Sequence, residues 1–230
     1  MRALVVVAVL LLGLTVVLDR VAVGVAEDRV ATELPAEGAL QDAPEVDIAG
    51  FPFLTQAVGG SYDDVRISLT AADLGQPEGT RADLFLQGVH VPLSAALSGS
   101  VREVPVDRID GTATLPYPLL AAQLGADTEV AREGDRLRIT RTVEVLGRQL
   151  RLTAVGRVEL EGGELVVDVQ EADGAGVKVP GFVLDRAVDL LDLRYPVPPL
   201  PFGLQVTSVR PAAEGVDVEL QAVNTVLTAE

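Results

Sequence analysis

The chain has 230 residues, of which 48% are hydrophobic and 3% aromatic, and its 18 basic against 34 acidic residues give a formal net charge of −16. Such an acidic chain is poorly suited to nucleic acid, because that binding depends on neutralising phosphates. It also lacks the polybasic patch that draws proteins to anionic membrane surfaces. The apolar residues are mainly valine, leucine and alanine, which favours strands over a helical bundle.

Several kinds of chemistry are excluded by residues that the chain lacks. There is no cysteine and a single histidine, His90, so disulfides, thiolate catalysis and a two-histidine zinc site within one chain are impossible. No nucleophile elbow, phosphate-binding loop or dinucleotide motif is present. We therefore predict a protein that is not an enzyme, with no catalytic residue, cofactor or metal, and expect His90 to be structural.

The N-terminus carries an uncharged apolar run from residue 3 to residue 18. As a helix this run is about 24 Å long, a little short of the roughly 30 Å hydrocarbon core of a bilayer. It is slightly long for the apolar region of a secretory signal, about 7–15 residues. We interpret residues 1–18 as an uncleaved signal-anchor, with the bulk of the chain exported. A cleaved signal peptide, with Gly24 and Ala26 before the cleavage site, is the alternative.

Residues 19–35 predict a juxtamembrane amphipathic helix. Val23, Ala26, Val30 and Leu34 recur three to four positions apart, and charged residues occupy the other faces. Pro35 and Gly38 should end this helix. We expect the apolar stripe to pack on the protein's own domain.

The stretch from Val46 to Leu69 predicts two strands joined by an aromatic corner. A short apolar strand leads into Phe51, Pro52, Phe53 and Leu54, the chain breaks at Gly59-Gly60, and an alternating strand follows. The corner could plug the end of a core or close the mouth of an apolar cavity. The sequence alone does not choose between them.

Residues 81–91 predict a strand in which Leu84, Phe85 and Leu86 are consecutive apolar residues. Neither face of this strand is clearly polar. Such a strand is buried on both sides, or has one face on the core and the other lining an apolar cavity.

The remainder of the chain predicts an antiparallel meander with two helices. Apolar and polar residues alternate along three strands from Leu137 to Gln170, with Arg141 on the apolar parity, and glycine pairs separate the strands. The other predicted elements are an extended segment 101–114, a helix 117–124 after Pro116 packed through Leu119, Leu120 and Leu124, a helix from Pro180, a proline-rich connector 195–201, and closing strands 202–209 and 216–222.

Three blocks of sequence carry a resemblance to a known family. They are Asp19 to Ala31, Val46 to Ile67 with its GFPFLTQ core, and Pro199 to Leu220. In these blocks the chain resembles the LmeA family of actinobacterial phospholipid-binding cell-envelope proteins. The resemblance implies an exported domain whose curved antiparallel sheet wraps helices around an apolar groove, as in tubular lipid-binding proteins, and a part in the upkeep of envelope lipids and lipoglycans.

Together these observations predict an α+β domain, residues 36–230, on the extracytoplasmic (periplasmic) face of the cytoplasmic membrane. Its expected partners are a phospholipid and, through the N-terminal helix, that membrane, with no nucleic acid. The residues predicted to line its groove are Phe51, Phe53, Leu54, Leu84, Leu86, Phe182 and Phe202. A well-packed sandwich acting as an envelope scaffold is the main alternative, and a carboxylate-dependent hydrolase is the least favoured.

Overall fold

The computed structural model describes residues 2–36, 40–125, 127–145, 148–174, 177–178, 194–196, 200 and 203–228. Its helices are α1 (Arg2–Ala36), α2 (Phe53–Gly59), α3 (Leu93–Ser98) and α4 (Tyr117–Leu124). Its strands are β1 (Glu45–Ala49), β2 (Ser61–Leu69), β3 (Arg81–His90), β4 (Glu103–Pro116), β5 (Thr128–Glu133), β6 (Arg136–Val145), β7 (Arg148–Glu161), β8 (Glu164–Gly174), β9 (Val177–Lys178), β10 (Arg194–Pro196), β11 (Gln205–Pro211) and β12 (Gly215–Thr228). The fold is therefore α+β, as predicted.

The strands form two sheets. One has the order β1-β2-β3-β4-β12-β11, and the other β10-β8-β7-β6-β5 with β9 paired to β8. The chain divides into two compact units: unit 1 comprises residues 1–76, 82–111 and 221–230, and unit 2 comprises residues 77–81 and 112–220. The curved groove implied by the resemblance, and the single domain 36–230, remain predictions.

The N-terminal apolar helix is confirmed as α1, whose described residues before Asp19 are all exposed. Its most apolar 18-residue window is 6% buried, so this segment does not serve as a core helix. By length and composition α1 could cross a membrane, a property that signal sequences near an N-terminus share.

From Asp19 onward α1 packs against β1 within unit 1. Val23 is buried with Val46 and Ile48 of β1, and Ala26 and Leu34 pack against the same cluster. The side chain of Glu27 accepts a hydrogen bond from the backbone N–H of Ile48 at 2.8 Å.

The predicted stripe on α1 is wrong at one position. Val30 is exposed, and Ala22 and Ala31 pack against the cluster of unit 1 instead. Two alanines complete the stripe because small side chains let a helix lie close to the strand it covers.

The aromatic corner contains a helix that the sequence did not predict. A cis Phe51-Pro52 bond leads into α2, which ends at Gly60 in the left-handed conformation, φ 67°. Gln56 holds α2 to the flanking strands: its Nε2 donates to the Ala49 carbonyl at 3.1 Å, and its Oε1 accepts from the Asp63 N–H at 2.9 Å.

Unit 2 is built on the predicted meander. Leu137 and Ile139 of β6 are fully buried, Arg138 between them is exposed, and β6, β7 and β8 pair antiparallel. The alternation follows because one face of the sheet meets the core and the other meets water. The core cluster also takes in Leu120 of α4 and Val216 of β12.

In unit 2, two predictions are wrong in part and a third falls on residues that the structure does not describe. Leu120 and Leu124 pack α4 on the core as predicted, whereas Leu119 is only half-buried and lies outside the core cluster. The prediction of a connector without regular structure over residues 195–201 is wrong at β10. This strand pairs with β8 at the edge of the sheet, a place where proline is tolerated. The predicted helix from Pro180 lies outside the described residues.

Candidate functional site

An open apolar pocket of about 470 Å³ lies in unit 2, between α4 and the start of β5. It is lined by Tyr117, Pro118, Ala121, Ala122, Gly125, Thr128, Glu129 and Val130. Its volume falls within the range of about 300–1,000 Å³ that is typical of small-molecule sites. The pocket exists because small side chains on this face of α4 leave space against β5.

Local sequence fixes α4 beside the pocket. Pro116 precedes the helix in an extended conformation, φ −66° and ψ 146°, and Leu120 anchors it in the core with 1% exposure. The Tyr117 hydroxyl donates a hydrogen bond to the Ala212 carbonyl at 2.7 Å, and burial raises the pKa of Tyr117 above its ordinary value of 10.0. At pH 7 this group therefore remains a neutral donor.

A second, polar pocket of about 230 Å³ adjoins the first and shares Thr128 and Glu129 with it. Its lining is Asp127, Thr128, Glu129, Thr140, Thr142 and Arg151. The hydroxyl oxygen of Thr128 is enclosed and has no hydrogen-bond partner, alone among the buried side-chain polar atoms of the described residues. A buried hydroxyl costs about 1–3 kcal/mol unless a water molecule or another polar group satisfies it.

Besides Arg151 of the polar pocket, another arginine lies close to the apolar pocket. A Cβ atom added at Gly125 would lie 3.5 Å from Nη2 of Arg141, and Arg141 pairs with Thr128 across β5 and β6. This is the residue that breaks the alternation of β6. This break in the alternation was the one feature of the sequence that could have indicated a pocket at this end of the sheet.

The sequence-predicted site residues in the described part of the chain all belong to unit 1. Phe53 is 4% exposed in the core cluster of that unit, while Phe51 is 64% exposed. Leu54 is exposed on α2, and on β3 Leu86 is buried and Leu84 half-buried.

The structure brings Phe51, Phe53 and Leu54 together at the corner, and it places Leu84 and Leu86 on β3 opposite Ile67 and Val65 of β2. Phe182 and Phe202 lie outside the described residues. The apolar pocket has a different lining, which the sequence analysis missed, and the lipid-binding role of the predicted set stays a prediction.

No group of three or more histidine or carboxylate side chains able to hold a metal occurs among the described residues. The Nε2 atom of His90 lies 3.4 Å from a carboxylate oxygen of Asp107, and both side chains are exposed.

Comparison with known proteins agrees with the resemblance seen in the sequence. The model of the LmeA-like phospholipid-binding family matches residues 17–221 of the 230. No curated protein and no solved structure gave a significant match. Since the match covers most of the chain, including both units, this protein belongs to the LmeA-like phospholipid-binding family.

Proposed function

We propose that this protein is a membrane-anchored, extracytoplasmic phospholipid-binding protein that holds or transfers lipids in the maintenance of envelope lipids and lipoglycans. Membership of a phospholipid-binding family supports the lipid. The exposed apolar helix at the N-terminus supports the anchor. In this proposal the protein binds its lipid without chemical conversion, because enclosing an acyl chain is worth about 0.8 kcal/mol per methylene removed from water and needs no reactive group.

An uncleaved anchor fits the packing of α1 better than cleavage after Ala26 does. Cleavage there would remove Asp19 and Val23, which are 1% and 6% exposed, from unit 1. It would also remove Ala22 and Ala26, which pack against the cluster of Val46 and Ile48, and leave only the last part of α1 on that cluster. The mass of the intact protein purified from membranes tests this: retention of residues 19–26 is expected, and a new N-terminus at Glu27 would contradict it.

The two adjoining pockets of unit 2 are the proposed lipid site. An acyl segment would occupy the apolar pocket beside Ala121, Ala122 and Val130, and the head group would occupy the polar pocket. The observation that carries this assignment is that Thr128 and Glu129 of the edge strand β5 line both pockets. A phospholipid has the same juxtaposition of an apolar chain and a polar head.

The charges of the polar pocket favour one kind of head group. Arg151 can pair with a phosphate, and Asp127 and Glu129 would repel a second anionic group while attracting an ammonium group. The site therefore suits a head group with one phosphate and one amine.

Native mass spectrometry of the full-length protein in detergent, with phosphatidylethanolamine or phosphatidylglycerol added, tests the site. Ala122→Phe fills the pocket from an exposed position and should abolish binding without unfolding unit 2. Arg151→Gln should weaken binding about tenfold, since a hydrogen bond to a charged group contributes about 1.5–3 kcal/mol. Arg157→Gln, which removes the same charge from an exposed site on the same strand, is the matched control and should bind normally.

Two results would contradict this site. Normal binding by Ala122→Phe would place the lipid elsewhere, including on the residues predicted from the sequence. A wild-type protein that takes up neither lipid would favour the envelope scaffold instead. Equal losses in Arg151→Gln and Arg157→Gln would indicate a general charge effect rather than a head-group contact.

A further inference from the structure

Unit 1 exposes a group of apolar side chains at its aromatic corner. Phe51 is 64% exposed and Val58 is 76% exposed, and Leu54 is also exposed. Leu54 and Val58 are four positions apart on α2, so they share one helix face. These three residues are called the docking patch below.

The docking patch is held at the end of the apolar run of α1. Asp19 is the first buried residue of that helix, and its Oδ1 atom accepts a hydrogen bond from the backbone N–H of Leu54 at 2.9 Å. The guanidinium carbon of Arg20 lies 5.5 Å from the centre of the Phe51 ring. Arg20 also pairs with Asp19 at 2.7 Å.

These contacts fix the level of the patch along the helix. If residues 3–18 cross the hydrocarbon core, then Asp19 and Arg20 lie where the helix leaves it, at the depth of the lipid head groups. Phe51 and Leu54 contact those two residues directly and must lie at that depth as well. Aromatic rings and arginine are the side chains that suit this interface, because each has an apolar part and a polar part.

We propose that the docking patch inserts into the interfacial layer of the same bilayer that holds α1. This inference depends on the proposed anchoring, and it adds a second membrane contact that restricts how unit 1 can turn on its anchor. Surface helices of this type place their apolar side chains about 5–10 Å into the boundary between head groups and acyl chains. A short helix carrying Leu54 and Val58, with the Phe51 ring beside it, is suited to that depth.

The absence of cysteine from the chain makes a direct test simple, because each introduced cysteine is the only labelling site. Full-length Val58→Cys, Val223→Cys and Leu10→Cys would carry a fluorescent label in vesicles of phosphatidylethanolamine and phosphatidylglycerol. Quenching by a lipid with a nitroxide near its head group, for Val58 and Val223, or deep in its acyl chain, for Leu10, would be compared with quenching by a soluble nitroxide. Val223 is exposed on β12 of unit 1 and is the control for a site outside the patch.

Lipid quenching of the Val58 label should exceed that of the Val223 label at least threefold, with the soluble quencher showing the reverse order. The Leu10 label reports the anchor itself. Lipid quenching at Leu10 but not at Val58 would overturn the docking patch and leave the anchor intact, whereas none at either position would overturn both. Protection of the Val58 label from both quenchers would show that a protein covers the patch, and this too would overturn the proposal.

Discussion

Replacing Phe53 with alanine is expected to destabilise unit 1 rather than to empty a lipid groove. The Phe53 ring is 4% exposed and packs with Val46 and Ile48 in the core cluster. Its centroid lies 5.9 Å from that of the Tyr62 ring. Truncation of a buried phenylalanine to alanine costs about 3–5 kcal/mol, from lost transfer energy and from the cavity left behind.

Hydrogen–deuterium exchange of the full-length protein in detergent measures this loss locally. Every 1.4 kcal/mol is a tenfold change in an equilibrium constant, so amides of β1 and β2 that open through unfolding of unit 1 should exchange about 100-fold to 4,000-fold faster. Amides of β6 and β7 belong to unit 2 and should keep their rates. Phe51→Ala is the matched control, because an exposed side chain contributes within about 0.5 kcal/mol.

One result would refute this reasoning. If Phe53→Ala leaves exchange in β1 and β2 unchanged and lowers the amount of bound phospholipid, Phe53 lines a lipid cavity, as the sequence analysis predicts. Phe53→Leu separates the cases further. A core position should recover most of the protection with leucine, because leucine refills much of the volume.

Other substitutions test the backbone and one ion pair. Gly156→Ala should lower the melting temperature by several degrees, because the new Cβ would collide with the backbone oxygen of Asp168. At Gly59 an added Cβ would have no atom within 4 Å, so Gly59→Ala should stabilise the folded protein by about 0.5 kcal/mol. A hydrogen bond from Arg108 lowers the pKa of Asp110 below its ordinary value of 3.8. The ion pair therefore stabilises the folded protein above pH 3.8, and this contribution is lost as the pH falls through the folded-state pKa of Asp110. Asp110→Asn should therefore lower the melting temperature at pH 7, and this deficit should shrink as the pH is lowered below 3.8; a deficit that stays constant would contradict this reasoning.

The meander was predictable because its signal is local. Leu137, Ile139 and Leu152 are buried as their parity indicates, and the two-residue period follows from the geometry of a strand with one wet face. Glycine at each turn supplied the boundaries. Only the shift at Gly156, where the pairing of β7 with β8 slips by one residue, has no signal in that pattern.

Helix α2 was not predictable in this way because its stability comes from distant residues. Seven residues are too few for a stable isolated helix, and Pro52 between two phenylalanines reads as a turn. In the structure the first turn of α2 is capped by Asp19, 35 positions earlier in the chain. Gln56 then ties the helix to β1 and β2.

The two pockets of unit 2 were even less predictable from the sequence than α2. The sequence located α4 correctly between Pro116 and Gly125, and it showed that Arg141 breaks the alternation of β6. Neither observation predicts a cavity, because the space arises only when the small side chains of α4 meet β5. Aromatic residues drew the site prediction to unit 1, yet an unfilled space needs small side chains, as Ala121 and Ala122 show. For the site proposed in unit 2, the small side chains of α4 are therefore a better guide than the aromatic residues of unit 1, whose role in lipid binding stays a prediction.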